Sequence, residues 1–302
     1  MRAVLFPGQG SQYVGMGSDF YKQFELVKEI FDTVDKTLGF RLSKLILNGP
    51  DAELKLTKNT QPAIMTIGVS IFKVLRQHFN LNLNESKFFA GHSLGEYTAL
   101  VCAGSMNIEQ AAYLLHERGK AMQEAAPAGK GTMMAILGMS IDEVEKEISL
   151  LAKQEVCEIA NDNSSSQIVL SGQSISIDPA ITLAKEGGAK RALALEVSAP
   201  FHCALLQPAA NKMAEALASI TIGTPHPPLV ANVIAESVNE PHAIRKLLVE
   251  QVTSRVRWRE SVIWMKANGV DNLLELGTGK VLTNLTRRID SSLTGHSIEK
   301  PD

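Results

Sequence analysis

The segment Lys87-Phe88-Phe89-Ala90-Gly91-His92-Ser93-Leu94-Gly95-Glu96-Tyr97-Thr98-Ala99-Leu100 changes character twice. Residues 87–90 form a short apolar run that stops at glycine, the pattern of a buried strand. From Leu94 onward the apolar residues Leu94, Tyr97, Leu100 and Val101 recur at helical spacing. Between the two lies Gly91-His92-Ser93-Leu94-Gly95, a G-x-S-x-G pentapeptide. In a strand–turn–helix setting its glycines permit a sharp turn that lifts the Ser93 hydroxyl off the sheet. The helix that follows directs N–H groups, Leu94 among them, at a developing oxyanion. Pentapeptides of this form also arise by chance, as a glycine turn with a capping serine. The strand before it and the helix after it favour the nucleophile.

The same alternation continues outward. A strand is expected at Arg2–Phe6, cut off by Pro7-Gly8, with helices over 19–38, 62–79 and 108–126. After Pro200 come a helix over 205–220, a strand over 229–233, a helix over 258–268 and a strand at Asn272–Leu276. Strands alternating with helices through glycine turns indicate an α/β layer. Residues 129–198 differ. GTMMAILGM (131–139) is strand-like, and SIDEVEKEISLLAK (140–153) is an amphipathic helix with a Ser140/Glu143 capping box. CEIAND (157–162) and SQIVLSG (166–172) read as paired strands, DPAITLAKEGG (178–188) as a helix and RALALEVS (191–198) as a strand. That βαββαβ order matches a ferredoxin-like unit. The expected architecture is an α/β domain over 1–127 and 199–302 with a ferredoxin-like domain, 128–198, inserted into it.

With 302 residues, 45% apolar and 21% charged, the composition is that of a globular chain large enough to fold without disulfides or metal. The 30 basic and 32 acidic residues leave a net charge of -2, with none of the basic excess of a nucleic-acid binder. Cys102, Cys157 and Cys203 are too few and too scattered for a disulfide framework or a zinc site. Pro7 and Gly8 end the first apolar run before it reaches the length of a signal peptide. No window offers the roughly 18 uninterrupted apolar residues of a membrane helix. The chain is expected to be soluble and cytoplasmic, with neither membrane nor nucleic acid as partner.

A serine nucleophile needs a base, and seven histidines are available. His92 adjoins the serine, so its side chain is expected to point away from Ser93's side of the turn. His78 and His116 fall in amphipathic helices, and His226, His242 and His296 in polar or proline-rich loops. His202 follows Ala199-Pro200-Phe201 directly after a strand, where proline and an aromatic ring can hold it in place. It is the best placed, although a histidine satisfied within a turn would look the same. Arg118 shares a helix face with Ala111, Leu115 and Met122. A guanidinium on an otherwise apolar face must find an anion. Either an internal Asp or Glu pairs with it, or it grips a ligand carboxylate through two hydrogen bonds.

Two glycine motifs are decoys for nucleotide-binding loops. Gly8-Gln9-Gly10 begins like a dinucleotide loop, but Tyr13 stands where that pattern needs glycine. Gly277-Thr278-Gly279-Lys280 lacks the spacing of a phosphate loop, and Val281 follows the lysine. No H-E-x-x-H or Cys/His ligand spacing occurs, so no metal is expected.

Several blocks in register resemble the malonyl-CoA:acyl carrier protein transacylase family, which includes the acyltransferase domains of fatty acid and polyketide synthases. They are Phe6-Pro7-Gly8-Gln9-Gly10-Ser11-Gln12, Gly91-His92-Ser93-Leu94-Gly95-Glu96-Tyr97, and the Arg118 helix ending RGKAMQEA. Further along come Ala160-Asn161-Asp162-Asn163, Ala199-Pro200-Phe201-His202, Val249-Glu250-Gln251 and Glu275-Leu276-Gly277-Thr278-Gly279-Lys280. The resemblance covers nearly the whole chain. It implies a hydrolase-like α/β domain with a ferredoxin-like insertion and a ping-pong acyl transfer from malonyl-CoA to the phosphopantetheine thiol of acyl carrier protein. In that scheme Ser93 is the nucleophile and His202 its base. The N–H groups of Gln9 and Leu94 form the oxyanion hole, and a main-chain carbonyl near Gln251 orients the imidazole. Arg118 holds the malonyl carboxylate. Met122, Phe201, Asn161 and Asn163 are the further substrate-binding candidates, with Phe201 the malonyl-type residue that excludes a methyl branch.

The same resemblance implies no bound cofactor. A monomer serving fatty acid synthesis is expected, with a polyketide-pathway acyltransferase or a serine acyl hydrolase as the alternatives. A catalytically silent carrier-binding subunit would have been free to lose Ser93, His202 and Arg118. An acidic carrier would dock on basic residues, for which Lys185, Lys190, Arg191, Arg255, Arg257 and Arg259 are candidates.

Overall fold

A computed structural model describes residues 1–126, 129–149, 155–195, 197 and 199–301. Among the described residues ten strands appear in chain order: β1 Arg2–Phe6, β2 Phe88–Gly91, β3 Gly131–Leu137, β4 Cys157–Ser164 and β5 Gln167–Gln173, then β6 Arg191–Ala194, β7 Leu229–Ala231, β8 Glu236–Val238, β9 Asn272–Leu276 and β10 Thr294–Ile298. They form two sheets, one ordered β10-β9-β1-β2-β7-β8 and the other β4-β5-β3-β6.

In the first sheet β10, β9, β1, β2 and β7 run parallel, and β8 adds an antiparallel edge. A parallel sheet carries helices on both faces, so its strands are apolar throughout rather than alternating. β1 displays this: Val4 and Phe6 enter one core, and Ala3 and Leu5 enter the other. The first core is filled by the helices Thr57–Gln77, Ile108–Ala125 and Glu25–Leu38, the second by Trp258–Ala267 and Val281–Ile289. β1 lies between β2 and β9, and Phe6 at its end is in register with Gly91. Two carboxyl ends of strands thus open side by side, where parallel α/β sheets place their ligand crevices.

The second sheet is antiparallel throughout. Within the segment its order is second-third-first-fourth, the ferredoxin-like arrangement expected from βαββαβ. One face packs on helices Ile141–Ile148 and Ser174–Glu186 through Met134, Ile136, Val144, Ile168, Leu170 and Ile177. Met133 and Val169, on the opposite pleat, join the core of the large sheet. The seam is also bonded through the backbone: Asp162 N–H donates to Val256 O at 3.0 Å, and Val256 N–H donates to Ala160 O at 2.8 Å. No helix among the described residues is long and apolar enough to cross a membrane.

Several expected elements change at their ends. The helix expected over 19–38 is two, Ser18–Gln23 and Glu25–Leu38, with Phe24 extended between them and its ring against His78 and Phe79. The helix expected from Pro62 starts at Thr57 and carries the proline inside it. Pro62 cannot donate to the carbonyl of Lys58. That carbonyl instead accepts from His116 Nδ1 at 2.9 Å, so the break costs little. The Ser140/Glu143 capping box forms, and the helix behind it is described to Ile148. Residues 150–153 of that expected helix, Glu196 and Ser198 of the expected strand 191–198, and residues 127 and 198 at the expected domain limits lie outside the described residues.

Periodicity missed helices Leu42–Asn48, Pro241–Glu250 and Val281–Ile289 and strands β8 and β10. The second of these helices carries a start signal, since Pro241 sits in its first turn and the Glu240 carboxylate accepts from His242 and Ala243 N–H at 2.9 and 2.6 Å.

Candidate active site

β2 delivers the chain into the turn at Gly91 and the helix Gly95–Cys102 carries it away. Both glycines are required by close approach. A Cβ on Gly91 would strike the main chain of Gly95, and one on Gly95 would strike the carbonyl of Phe6 at the end of β1. Ser93 sits at φ 53°, in the left-handed region that residues with a Cβ avoid. Only four non-glycine residues do so among the described residues, and His202, at φ 58°, is another. Backbone strain of this kind persists where the surroundings over-determine it, often at functional sites.

Ser93 Oγ lies 2.8 Å from His202 Nε2. His202 Nδ1 lies 2.8 Å from the main-chain oxygen of Gln251. A carbonyl oxygen only accepts, so Nδ1 carries the proton and Nε2 presents a lone pair to the serine hydroxyl. A main-chain carbonyl therefore stands where a triad carboxylate would stand. His202 is buried. Burial and then the charge of Arg118 push its pKa down to about 3, against the opposing hydrogen bond to Gln251. The imidazole is thus a neutral base across the working pH range.

Arg118 is 1% exposed. Nη1 donates to Gln61 Oε1 at 2.9 Å, and Nη2 donates to Gln251 Oε1 at 2.7 Å and to Ser93 Oγ at 3.1 Å. Nε is buried without a partner, and no carboxylate pairs with the guanidinium among the described residues. The internal Asp or Glu partner left open by the sequence is thus not what holds it. Glu96 is reached through the Gln251 amide, whose Nε2 donates to Glu96 Oε2 at 2.7 Å and to Ser93 O at 3.0 Å. Burial pushes the Glu96 carboxyl up to about 8. The other Glu96 oxygen accepts the N–H of Asn232. The Asn232 side chain accepts Ser93 N–H at 2.7 Å and donates to Gly91 O at 2.8 Å.

These groups open on a cavity of about 320 Å³. Gln9, Leu94, Arg118, Met122, Asn161 and Phe201 line it together with Ser93 and His202. Ser93 N–H is taken by Asn232, whereas the N–H groups of Gln9 and Leu94 make no hydrogen bond among the described residues. Asn163 lies behind the wall, where Oδ1 meets His92 Nε2 at 2.9 Å. The His92 ring also packs on Trp258. Sequence reasoning passed over Gln61, Glu96 and Asn232. Glu96 offered a signal, a carboxylate buried on the apolar face of the helix that starts at Gly95; the other two offered none.

The three basic residues proposed on the large domain are each held by an acid. Arg255 pairs with Glu145 at 2.7 Å, Arg257 with Glu260, and Arg259 chelates the buried Asp162 at 2.8–3.0 Å. Lys185, Lys190 and Arg191 are exposed.

A family model for the acyl transferase domain matches residues 4–292. The chain is 44% identical over 299 residues to the malonyl CoA-acyl carrier protein transacylase of Escherichia coli O157:H7, covering 99% of this chain and 96% of that one. Among solved structures it is similar to the acyl-carrier-protein-S-malonyltransferase of Bartonella henselae, at TM-score 0.96 and 46% identity over 99% of this chain and 96% of that one. It is also similar to a malonyl-transacylase solved in complex with its type II polyketide acyl-carrier protein, at TM-score 0.95 and 41% identity over 99% and 96% of the two chains.

Proposed function

Since this chain belongs to the acyl transferase domain family, we propose that it moves the malonyl group of malonyl-CoA onto the phosphopantetheine thiol of acyl carrier protein, supplying fatty acid synthesis. The observation that carries this reading is Arg118, a buried cation beside the Ser93–His202 pair with no ion-paired carboxylate among the described residues. An esterase of neutral acyl groups has no use for it. A dicarboxylic thioester does, because malonate places its free carboxylate two carbons from the carbonyl under attack.

The reaction runs in two halves. Ser93 Oγ attacks the thioester carbonyl while its proton passes to His202 Nε2, and Gln251 O holds the imidazole through Nδ1–H. The negative oxygen is taken by the N–H groups of Leu94 and Gln9. The C–S bond breaks, His202 returns its proton to the CoA sulfur, and a malonyl ester remains on Ser93. The carrier's thiol then gives its proton to His202 and attacks that ester; the bond from the acyl carbon to Ser93 Oγ breaks, and His202 returns the proton to Oγ. Throughout, Arg118 and Gln61 fix the carboxylate end, while Met122 and Phe201 bound the pocket around the methylene. Water is disfavoured because the Arg118–carboxylate pair orients the ester so that only a pantetheine thiol in the cleft attacks productively. No cofactor enters, and the partners are malonyl-CoA and the carrier protein.

The test is turnover of malonyl-CoA with and without holo carrier protein. Release of CoA that depends on the carrier supports transfer. Release at the same rate without it would make the chain a hydrolase.

A further inference from the structure

Asn232, at the end of β7, is fully buried and uses every polar group it has. Its side-chain oxygen takes Ser93 N–H and its side-chain amide holds Gly91 O. Its own N–H goes to Glu96, and its carbonyl accepts Arg257 N–H at 3.1 Å. Two of the four bonds clamp the turn on either side of His92, and a third reaches the helix that follows. Ser93 is left-handed there, which a residue with a Cβ adopts only when held. The clamp also removes one candidate from the oxyanion hole. With its N–H spent, Ser93 contributes its oxygen alone, and the free donors on that side are Leu94 and Gln9.

We infer that Asn232 is a positioning residue for the transfer proposed above: by accepting Ser93 N–H and holding Gly91 O it fixes the strained serine against His202 and assigns the oxyanion to its neighbours. Gln251 Nε2 completes the hold from the other side by donating to Ser93 O, so both main-chain polar groups of the nucleophile are gripped by buried amides. Neither Arg118 nor Gln61 hydrogen-bonds to Asn232 among the described residues, so recognition of the carboxylate is separate from this clamp.

The asymmetry of the clamp supplies its own test. In Asn232→Asp a neutral carboxyl has the same shape, with the carbonyl accepting Ser93 N–H and the hydroxyl donating to Gly91 O. The ionised form turns an oxygen against Gly91 O and breaks the clamp. Burial holds such a carboxyl neutral well above the ordinary range. The groups facing the position are Glu96 and Arg118 from their helices, His92 and His202 from their loops, and Arg257 beside β7.

The Ser93 acylation rate of Asn232→Asp should approach that of the native enzyme at low pH and fall relative to it as pH rises. Asn232→Leu should acylate about 100-fold more slowly at every pH, the cost typical of a misplaced reacting atom. The loss should be equal for malonyl-CoA and acetyl-CoA, with KM for malonyl-CoA within about twofold of native. A native-like pH profile for Asn232→Asp, or a native acylation rate for Asn232→Leu, overturns the inference. If the native protein forms no malonyl ester, the transferase reading fails instead. The clamp is then judged from labelling of Ser93 by diisopropyl fluorophosphate, which should slow in Asn232→Leu and is unchanged if Asn232 only fills space.

Discussion

Arg118 Nη2 lies 3.1 Å from Ser93 Oγ, so in the unliganded site the cation that would grip a substrate's carboxylate rests on the nucleophile itself. The hydroxyl accepts from Arg118 while it donates to His202. On the proposed reading, an arriving carboxylate would draw the fork away and neutralise the charge that, after burial, depresses the imidazole. One side chain would then carry both recognition and activation.

Arg118→Ala should lose malonyl transfer by on the order of 10²–10³-fold, the cost of removing one member of a buried charge pair. Uncharged acyl groups such as acetyl should be accepted relatively better. The check is kcat/KM for malonyl-CoA and acetyl-CoA side by side; an unchanged malonyl preference would remove Arg118 from the account.

His202 sets the acid side of the pH behaviour. With its pKa held down near 3, acylation should show no ascending limb between about pH 5 and 8 from this group. The same shift bears on stability. The unfolded imidazole titrates near 6.5, so between 6.5 and 3 the unfolded chain binds the extra proton. This contribution is complete above pH 6.5 and is lost as pH falls toward 3. His202→Asn should therefore lose less stability than the native protein between about pH 7 and pH 4 in urea titrations.

Phe201 lines the cavity beside Met122, where a branched acyl group would need space. Phe201→Ser should improve methylmalonyl transfer relative to malonyl by about 1–3 kcal/mol, the usual worth of one methyl group in an apolar pocket. Competition between the two CoA esters measures it, and a ratio unmoved by the substitution would place the selectivity elsewhere.

Arg259 and Asp162 tie the small sheet to the large one. The carboxylate is fully buried and receives three bonds from the guanidinium, which is 25% exposed. Arg259→Ala strands that charge and should cost about 3 kcal/mol in urea unfolding. Asp162→Asn with Arg259→Ala should recover part of it. A loss below about 0.5 kcal/mol in the single variant would reduce the pair to a surface contact.

What the sequence disclosed, and what it withheld, follows from the range of each interaction. Ser93 was legible because its setting is local: strand, glycine turn and helix all fall within 87–103. Arg118 was legible as a charge on an apolar helix face, but its hydrogen-bond partners were not, since Gln61 and Gln251 come from distant elements. The βαββαβ order foretold the small sheet, because hairpin and crossover connections leave few ways to pair four strands. Helix Val281–Ile289 was hidden because its start is capped by Glu275 from the end of β9 rather than by a neighbouring residue. Asn232 could not have been found at all. It is one asparagine 139 positions from Ser93, and only the parallel pairing of β2 with β7 brings the two together.

The central claim is that Ser93 carries the malonyl group between two thiols under the grip of Arg118. Intact mass measurement of the protein mixed with malonyl-CoA, then chased with holo carrier protein, tests it most directly. The account predicts a gain of one malonyl group on Ser93, absent in Ser93→Ala, that moves to the carrier on the chase. A protein that stays unmodified, or whose adduct is lost to water as fast with the carrier absent as with it present, would contradict it.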